Sequence, residues 1–294
     1  MRRSLLFLPG NNPNMLINAD YLGSDAVIFD LEDAVSPAEK DSARILVRNT
    51  MRYMSLGCEK IVRINSVDTA YWKADLRAVM PERPSLILLP KVNSTADVLE
   101  VDSFMTSVEA ELGFEKGTVG IMPLIETALG VENSFSIASC SDRVKALFLG
   151  AEDLTADLQC KRTKEGREIE YARTRLVVAA RAAGVDVYDT PFTDVNDDEG
   201  IVVDARLAKS FGFTGKASIS PRHVDVINEV FSPTMAEIDY AYDVLDAIAL
   251  AKKQGKGAIS LNGKMIDAPI VARAERTIAM AKALGMERRE DCEE

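Results

Sequence analysis

The chain has 294 residues, 47% of them hydrophobic, enough to bury a sizeable core as one large α/β domain or two small ones. Its formal net charge of −11 argues against nucleic acid and against anionic membrane surfaces as partners. An anionic substrate would need local cations, which directs attention to arginines and to a bound metal.

The N-terminus, Met1-Arg2-Arg3 followed by an apolar run, mimics a signal peptide, but the run is short and Pro9-Gly10 closes it. A first strand is predicted instead, at residues 5–8. Further strands are predicted at 26–31, 60–64, 86–89, 119–125, 145–149, 185–188 and 216–219. These runs are mostly continuous rather than alternating, as expected for parallel strands covered on both faces. Helical sequence lies between them. Ser36-Pro37-Ala38-Glu39 reads as a helix start, with Ser36 as N-cap, Pro37 at the first helical position and Glu39 closing a capping box. Over residues 94–112, Val98, Val101, Met105, Val108 and Leu112 recur at helical spacing.

About eight βα units over roughly 230 residues match a (β/α)8 TIM barrel. The rival is a doubly wound sheet, which the absence of a G-x-G-x-x-G after the first strand disfavours. Residues 232–294 are not needed to close a barrel and are predicted to form an appended C-terminal helical arm, not an independent domain. There Thr234 and Glu237 form a second capping box, opening a long helix with Met235, Ile238, Tyr242, Leu245 and Ala249 on one face and ending at residues 254–257. A last helix starts near Pro269, and the charged tail 287–294 is expected to fray. Cys58, Cys140, Cys160 and Cys292 have no ligand-like spacing and read as free thiols of a reducing cytoplasm. No segment approaches the length of a membrane span.

Several predicted strands end on polar groups: Asp30, Glu32 and Asp33; Arg63 and Asn65; Lys91; Glu126; Glu152 and Asp153; Asp189; Arg222. In a barrel these converge on the catalytic rim. Acids grouped there suit Mg²⁺, which prefers hard oxygen ligands, although solvated loop acids would look the same. Arg63 directly follows Ile61-Val62, so it either grips a substrate oxyanion or forms an ion pair within the acid ring. Gly150 and Ala151 either admit a ligand to backbone N–H groups or allow close helix–strand packing. His223, the only histidine, is a general-base candidate weighed against a solvated loop side chain.

Seven short motifs occur in order across nearly the whole chain: Phe7-Leu8-Pro9-Gly10, Asp30-Leu31-Glu32-Asp33, Val62-Arg63-Ile64-Asn65, Leu89-Pro90-Lys91, Glu126-Thr127-Ala128-Leu129-Gly130, Gly150-Ala151-Glu152-Asp153-Leu154 and Gly263-Lys264-Met265-Ile266-Asp267. Together they resemble the citrate lyase beta-subunit (citryl-CoA lyase) family, within the malyl-CoA lyase and HpcH/HpaI aldolase-like superfamily. The resemblance implies a Mg²⁺-dependent barrel lyase that cleaves a citryl thioester to oxaloacetate and an acetyl thioester. Relatives acting on citramalyl-CoA or malyl-CoA, a thioester-free 2-oxo-acid aldolase and a non-catalytic assembly subunit are the alternatives.

By the same resemblance Glu126 and Asp153 hold the metal, and Arg63 and Glu126 meet the substrate; Gly150 and Ala151 are substrate-binding candidates from their small size alone. Arg63 and Asp267 are the catalytic residues, Asp267 as acid/base carried by the C-terminal arm to a neighbouring subunit. It further implies a homo-oligomer (a trimer or a multiple), coenzyme A or an acyl carrier protein as acyl carrier, and other citrate lyase subunits as partners. Two positions depart from the family pattern, His223 after Pro221-Arg222 and Ala268 where relatives carry glycine.

Overall fold

The computed structural model describes residues 1–253, 259–261 and 264–288, in two compact units, Arg2–Phe231 and a second from Ser232 onward. In the first, eight parallel strands close into a barrel: β1 (Ser4–Pro9), β2 (Ala26–Asp30), β3 (Glu59–Arg63), β4 (Leu86–Leu89), β5 (Gly120–Ile125), β6 (Ala146–Leu149), β7 (Asp186–Asp189) and β8 (Gly215–Ser218). Each neighbours the next, and β8 returns to β1 with Leu5 opposite Ala217. The closed barrel excludes the doubly wound alternative. Gly215 makes the closure possible, since a Cβ there would lie 2.2 Å from the Arg2 carbonyl oxygen. The basic N-terminus serves the barrel as well: Arg2 Nε donates to Glu59 at 2.7 Å and Arg3 pairs with Asp25 at 2.7 Å.

Strand side chains alternate between two cores with a period of two. Leu5, Ile28, Ile61, Leu124, Phe148, Tyr188 and Ala217 fill the barrel interior. Leu6, Leu8, Val27, Phe29, Val62 and Leu149 face the helical layer outside. Both faces are apolar, which is why the runs read as continuous.

Two helix starts differ in how they form. At residues 36–39 the chain makes a 3-10 turn, and the regular helix begins at Lys40. The Ser36 hydroxyl donates to the Glu39 carboxylate at 2.9 Å, which also accepts from Asn11 Nδ2, so the predicted reciprocal box is not made. At Thr234 it is: Thr234 N donates to Glu237 Oε2 at 2.7 Å, and Glu237 N to Thr234 Oγ1 at 3.2 Å. The helix Thr95–Leu112 buries Val98, Val101, Met105 and Val108 as expected, while Leu112 is exposed.

The second unit consists of the helix Met235–Lys253, an antiparallel hairpin of β9 (Ile259–Leu261) and β10 (Lys264–Ile266), and the helix Ala268–Ala283. Its core joins Ile266, Ala274 and Ile278 to Ala241 and Val244. On the first helix Ile238, Ala241 and Val244 are buried and the predicted Tyr242 and Leu245 pack against the core beside them, while Ala249 is exposed. Of the predicted tail, Arg288 pairs with Asp243 at 2.6 Å and Asp246 at 2.8 Å, so it is anchored through at least that residue. The helix end at 254–257, Gly263, and residues 289–294 with Cys292 lie outside the described residues. Cys58, Cys140 and Cys160 are free. Among the described residues, no helix is long and apolar enough to cross a membrane.

Candidate active site

The inward alternation does not stop where the strands do. Two residues beyond Ile28, Ile61, Leu124, Phe148, Tyr188 and Ala217 stand Asp30, Arg63, Glu126, Gly150, Thr190 and Ile219. All six line one cavity of about 570 Å³ at the carboxyl ends of the strands. Ala151, Glu152 and Asp153 line it too, on the first turn of the helix Ala151–Asp157 that follows β6. Phe7, Met15, Leu124 and Phe148 contribute apolar wall. The sequence reading missed these apolar lining residues and Thr190, yet following the period-two pattern along each strand and just beyond it would have found Phe7, Thr190 and Ile219. A second cleft beside the cavity shares Glu126 and Asp153 with it and adds Lys91, Asn93 and Thr127.

Arg63 is held rather than mobile. Its Nε and Nη2 donate to the two Asp30 oxygens at 2.7 and 2.6 Å, and Nη1 lies 3.1 Å from Glu32 Oε2. The guanidinium also stands over the Phe7 ring, 5.2 Å from its centre. Burial opposes its charge, but the pairs with Asp30, Glu32 and Asp33 outweigh that and raise its pKa. Both sequence readings of Arg63 therefore coexist: the ion pair within the acid ring is formed, and it fixes the remaining N–H donors of a group that lines the cavity.

Lys91 bridges the acids from the other cleft. Its backbone N–H donates to Glu126 Oε1 at 2.7 Å, and its ammonium lies 3.0 Å from Glu32, 3.7 Å from Asp33 and 3.9 Å from Asp153. Five carboxylates (Asp30, Glu32, Asp33, Glu126, Asp153) thus face Arg63, Lys91 and the buried Lys40, an excess of negative charge. The excess falls on Glu126: burial, then the charges of Glu32 and Asp153, push its carboxyl up to about 8. A divalent cation would relieve that frustration, so the donor set fits Mg²⁺. Among the described residues no group of three or more His, Cys, Asp or Glu side chains is arranged around one metal position. The candidate is the pair Glu126 and Asp153, matching the habit of Mg²⁺ to take one or two carboxylates and leave its other positions to substrate and water.

The expectation for Gly150 and Ala151 changes. Their N–H groups are already engaged, Gly150 with the Ile125 carbonyl at 3.0 Å and Ala151 with Thr190 Oγ1 at 3.2 Å. Gly150 matters for space: a Cβ there would lie 2.6 Å from Glu126 Oε2 and 2.7 Å from Glu126 Cβ. Gly150→Ala is therefore expected to push the Glu126 carboxylate aside, destabilising the fold by ~1–3 kcal/mol and lowering kcat roughly 100-fold. Thermal melts and steady-state assays check this. Unchanged turnover would remove the crowding argument.

Other strand-end candidates are scaffold. Asp189 is fully buried, accepting from Arg173 at 2.9 and 2.8 Å and from Lys216 at 2.7 Å, with Asp204 completing a balanced ionic quartet. Lys216 also holds the Thr190 carbonyl at 2.6 Å, so the quartet positions the strand tip that receives Ala151 N–H. Asn65 is buried, its amide donating to Asp75 at 2.7 Å and to the Leu31 carbonyl at 3.0 Å. Arg222 makes an exposed pair with Asp198 at 3.3 Å. His223 is not solvated: it is fully buried, neither ring nitrogen has a hydrogen-bond partner among the described residues, its ring lies against Phe192, and burial lowers its pKa. Asp267 lies in the second unit. It is exposed and caps the helix Ala268–Ala283, its carboxylate accepting from Ile270 N at 3.1 Å.

Fold and site together define an α/β-barrel enzyme with a carboxylate-rich mouth. The chain belongs to the HpcH/HpaI aldolase/citrate lyase family, whose model matches residues 3–221. It is 45% identical over 284 residues, 96% of this chain and 94% of the relative, to the citrate lyase subunit beta of Leuconostoc mesenteroides subsp. cremoris. Among solved structures it is 29% identical to protein CitE of Mycobacterium tuberculosis in complex with magnesium, acetoacetate and coenzyme A, covering 96% of this chain and 98% of that one with a TM-score of 0.77. It is 31% identical to the M. tuberculosis citrate lyase beta subunit complexed with oxaloacetate and magnesium, covering 79% of this chain and 97% of that one with a TM-score of 0.68.

Proposed function

We propose that this chain is a Mg²⁺-dependent carbon–carbon lyase that cleaves a citryl thioester to oxaloacetate and an acetyl thioester. One observation carries the reading: Glu126 and Asp153, following successive strands, line the cavity that Arg63 also lines. Glu126 and Asp153 would hold the ion, which when bound supplies Lewis acidity at the substrate hydroxyl and a template for the adjacent carboxylate.

Arg63 binds substrate oxygens with the donors its acid partners leave unused. It stabilises negative charge where it develops, a preorganised effect of ~3 kcal/mol. The hydroxyl proton passes to solvent; as the carbon–carbon bond breaks, its electron pair passes to the acetyl thioester as an enolate, and the hydroxyl oxygen becomes the oxaloacetate carbonyl. The Asp267 carboxyl protonates the enolate carbon, and its carboxylate removes that proton in the reverse direction. The apolar wall of Phe7, Met15, Leu124 and Phe148 keeps water from the enolate.

The partners follow the same reading. Coenzyme A or an acyl carrier protein carries the acyl group, and the chain works in the cytoplasm beside other citrate lyase subunits. Residues 1–231 form the barrel and 232–294 an arm. In a homo-oligomer, a trimer or a multiple, that arm would bring Asp267 to a neighbouring subunit. In support, a near-full-length relative is itself a citrate lyase subunit beta, and a structural relative was solved with coenzyme A.

The deciding assay offers purified protein citryl-CoA, citramalyl-CoA and malyl-CoA in turn. Citryl-CoA is expected to turn over fastest, with activity lost in EDTA and regained with Mg²⁺. Preference for another thioester, or activity that EDTA leaves intact, would refute the reading.

A further inference from the structure

Lys91 is the residue of the site whose backbone is out of the ordinary. It sits just past β4 at φ +56°, in the left-handed region that side chains other than those of glycine and asparagine rarely adopt. That conformation aims its N–H at Glu126 Oε1, 2.7 Å away, while Asn93 Nδ2 donates to its carbonyl at 3.2 Å. Its ammonium meanwhile takes Glu32 Oε1 at 3.0 Å, and Arg63 takes Glu32 Oε2 at 3.1 Å. Glu32 is buried, its charge bears on Glu126, and its two oxygens face the Arg63 and Lys91 cations.

We propose that Lys91 is a positioning residue that fixes the ligand set of the divalent ion. Its N–H occupies one Glu126 oxygen, and its ammonium keeps Glu32 from coordinating, so the keto acid takes the positions Glu32 would otherwise fill. The inference rests on the assignment of Glu126 and Asp153 as metal ligands. It adds that the protein holds a neighbouring carboxylate, Glu32, on cations rather than on the ion.

Calorimetry separates the possibilities, with MgCl₂ titrated into metal-free protein and oxaloacetate into the Mg²⁺-loaded form. Lys91→Met keeps the backbone N–H and removes the ammonium. Mg²⁺ is expected to bind about tenfold more tightly, as loss of a cation ~4 Å from Asp153 warrants, and oxaloacetate about tenfold more weakly. Adding Glu32→Gln to that variant is expected to restore oxaloacetate binding. If Lys91→Met does not fold, Lys91→Gln serves as the second probe, with the same directions expected.

Tighter Mg²⁺ with unchanged oxaloacetate affinity would mean charge removal alone and would overturn the inference. So would weaker binding of both, the mark of a merely structural lysine, or a double variant that fails to recover. Absence of Mg²⁺ binding in the wild-type protein would instead sink the metal assignment, and this inference with it.

Discussion

Asp153→Ala is expected to weaken Mg²⁺ binding more than about 100-fold and to lower kcat about 1,000-fold, because losing even an outer-shell partner costs a metal site 10–100-fold. The acid is half exposed at the cavity mouth, and its described ionic partner is Lys91 at 3.9 Å, so its removal leaves no buried group stranded. Fold stability should therefore hardly change. Glu126→Gln separates charge from shape. It keeps a side chain that can accept the Lys91 N–H, and it removes a carboxyl that burial and the neighbouring acids already push up to about 8. The free protein should melt at or above the wild-type temperature while Mg²⁺ binding is lost. Calorimetry with Mg²⁺ and thermal melts with and without the ion test both variants. If Asp153→Ala binds Mg²⁺ like the wild type, the metal lies elsewhere.

The barrel was legible in the sequence because each strand is an uninterrupted apolar run closed by polar or small residues. All eight predicted strands end within one residue of the observed bounds. The strand-tip acids and Arg63 were legible for the same reason. What the sequence could not reveal depends on distant partners. Asp189 looks like any other rim acid until Arg173 and Lys216, 16 and 27 residues away, close around it. Ser36 and Glu39 have the spacing of a capping box, but Asn11 competes for the carboxylate. His223 follows a polar Pro-Arg pair, yet it is buried against Phe192 with no hydrogen-bond partner among the described residues. Gly150 reads equally as a ligand-facing or a close-packed glycine, and only the fold shows that what packs on it is the side chain of Glu126. Local propensity writes the elements, and long-range crowding assigns the roles.

Asp267→Asn is expected to lower kcat ~10²–10⁴-fold while leaving Mg²⁺ and oxaloacetate affinity within about threefold of wild type, the range a positioned acid/base supplies. The local structure makes this substitution unusually clean. Asp267 caps the helix Ala268–Ala283 through its Oδ1, and asparagine is as good an N-cap as aspartate, so the 3.1 Å bond from Ile270 N can persist. Asp267→Ala removes both proton and cap. It should cost ~1 kcal/mol more in stability, felt in a small unit whose core rests on Ile266, Ala274 and Ile278. Comparing the two variants divides catalysis from scaffolding: equal losses of kcat with unequal melting temperatures assign Asp267 to proton transfer. If Asp267→Asn turns over normally and only Asp267→Ala fails, the aspartate is a helix cap and the acid must be sought among the barrel carboxylates.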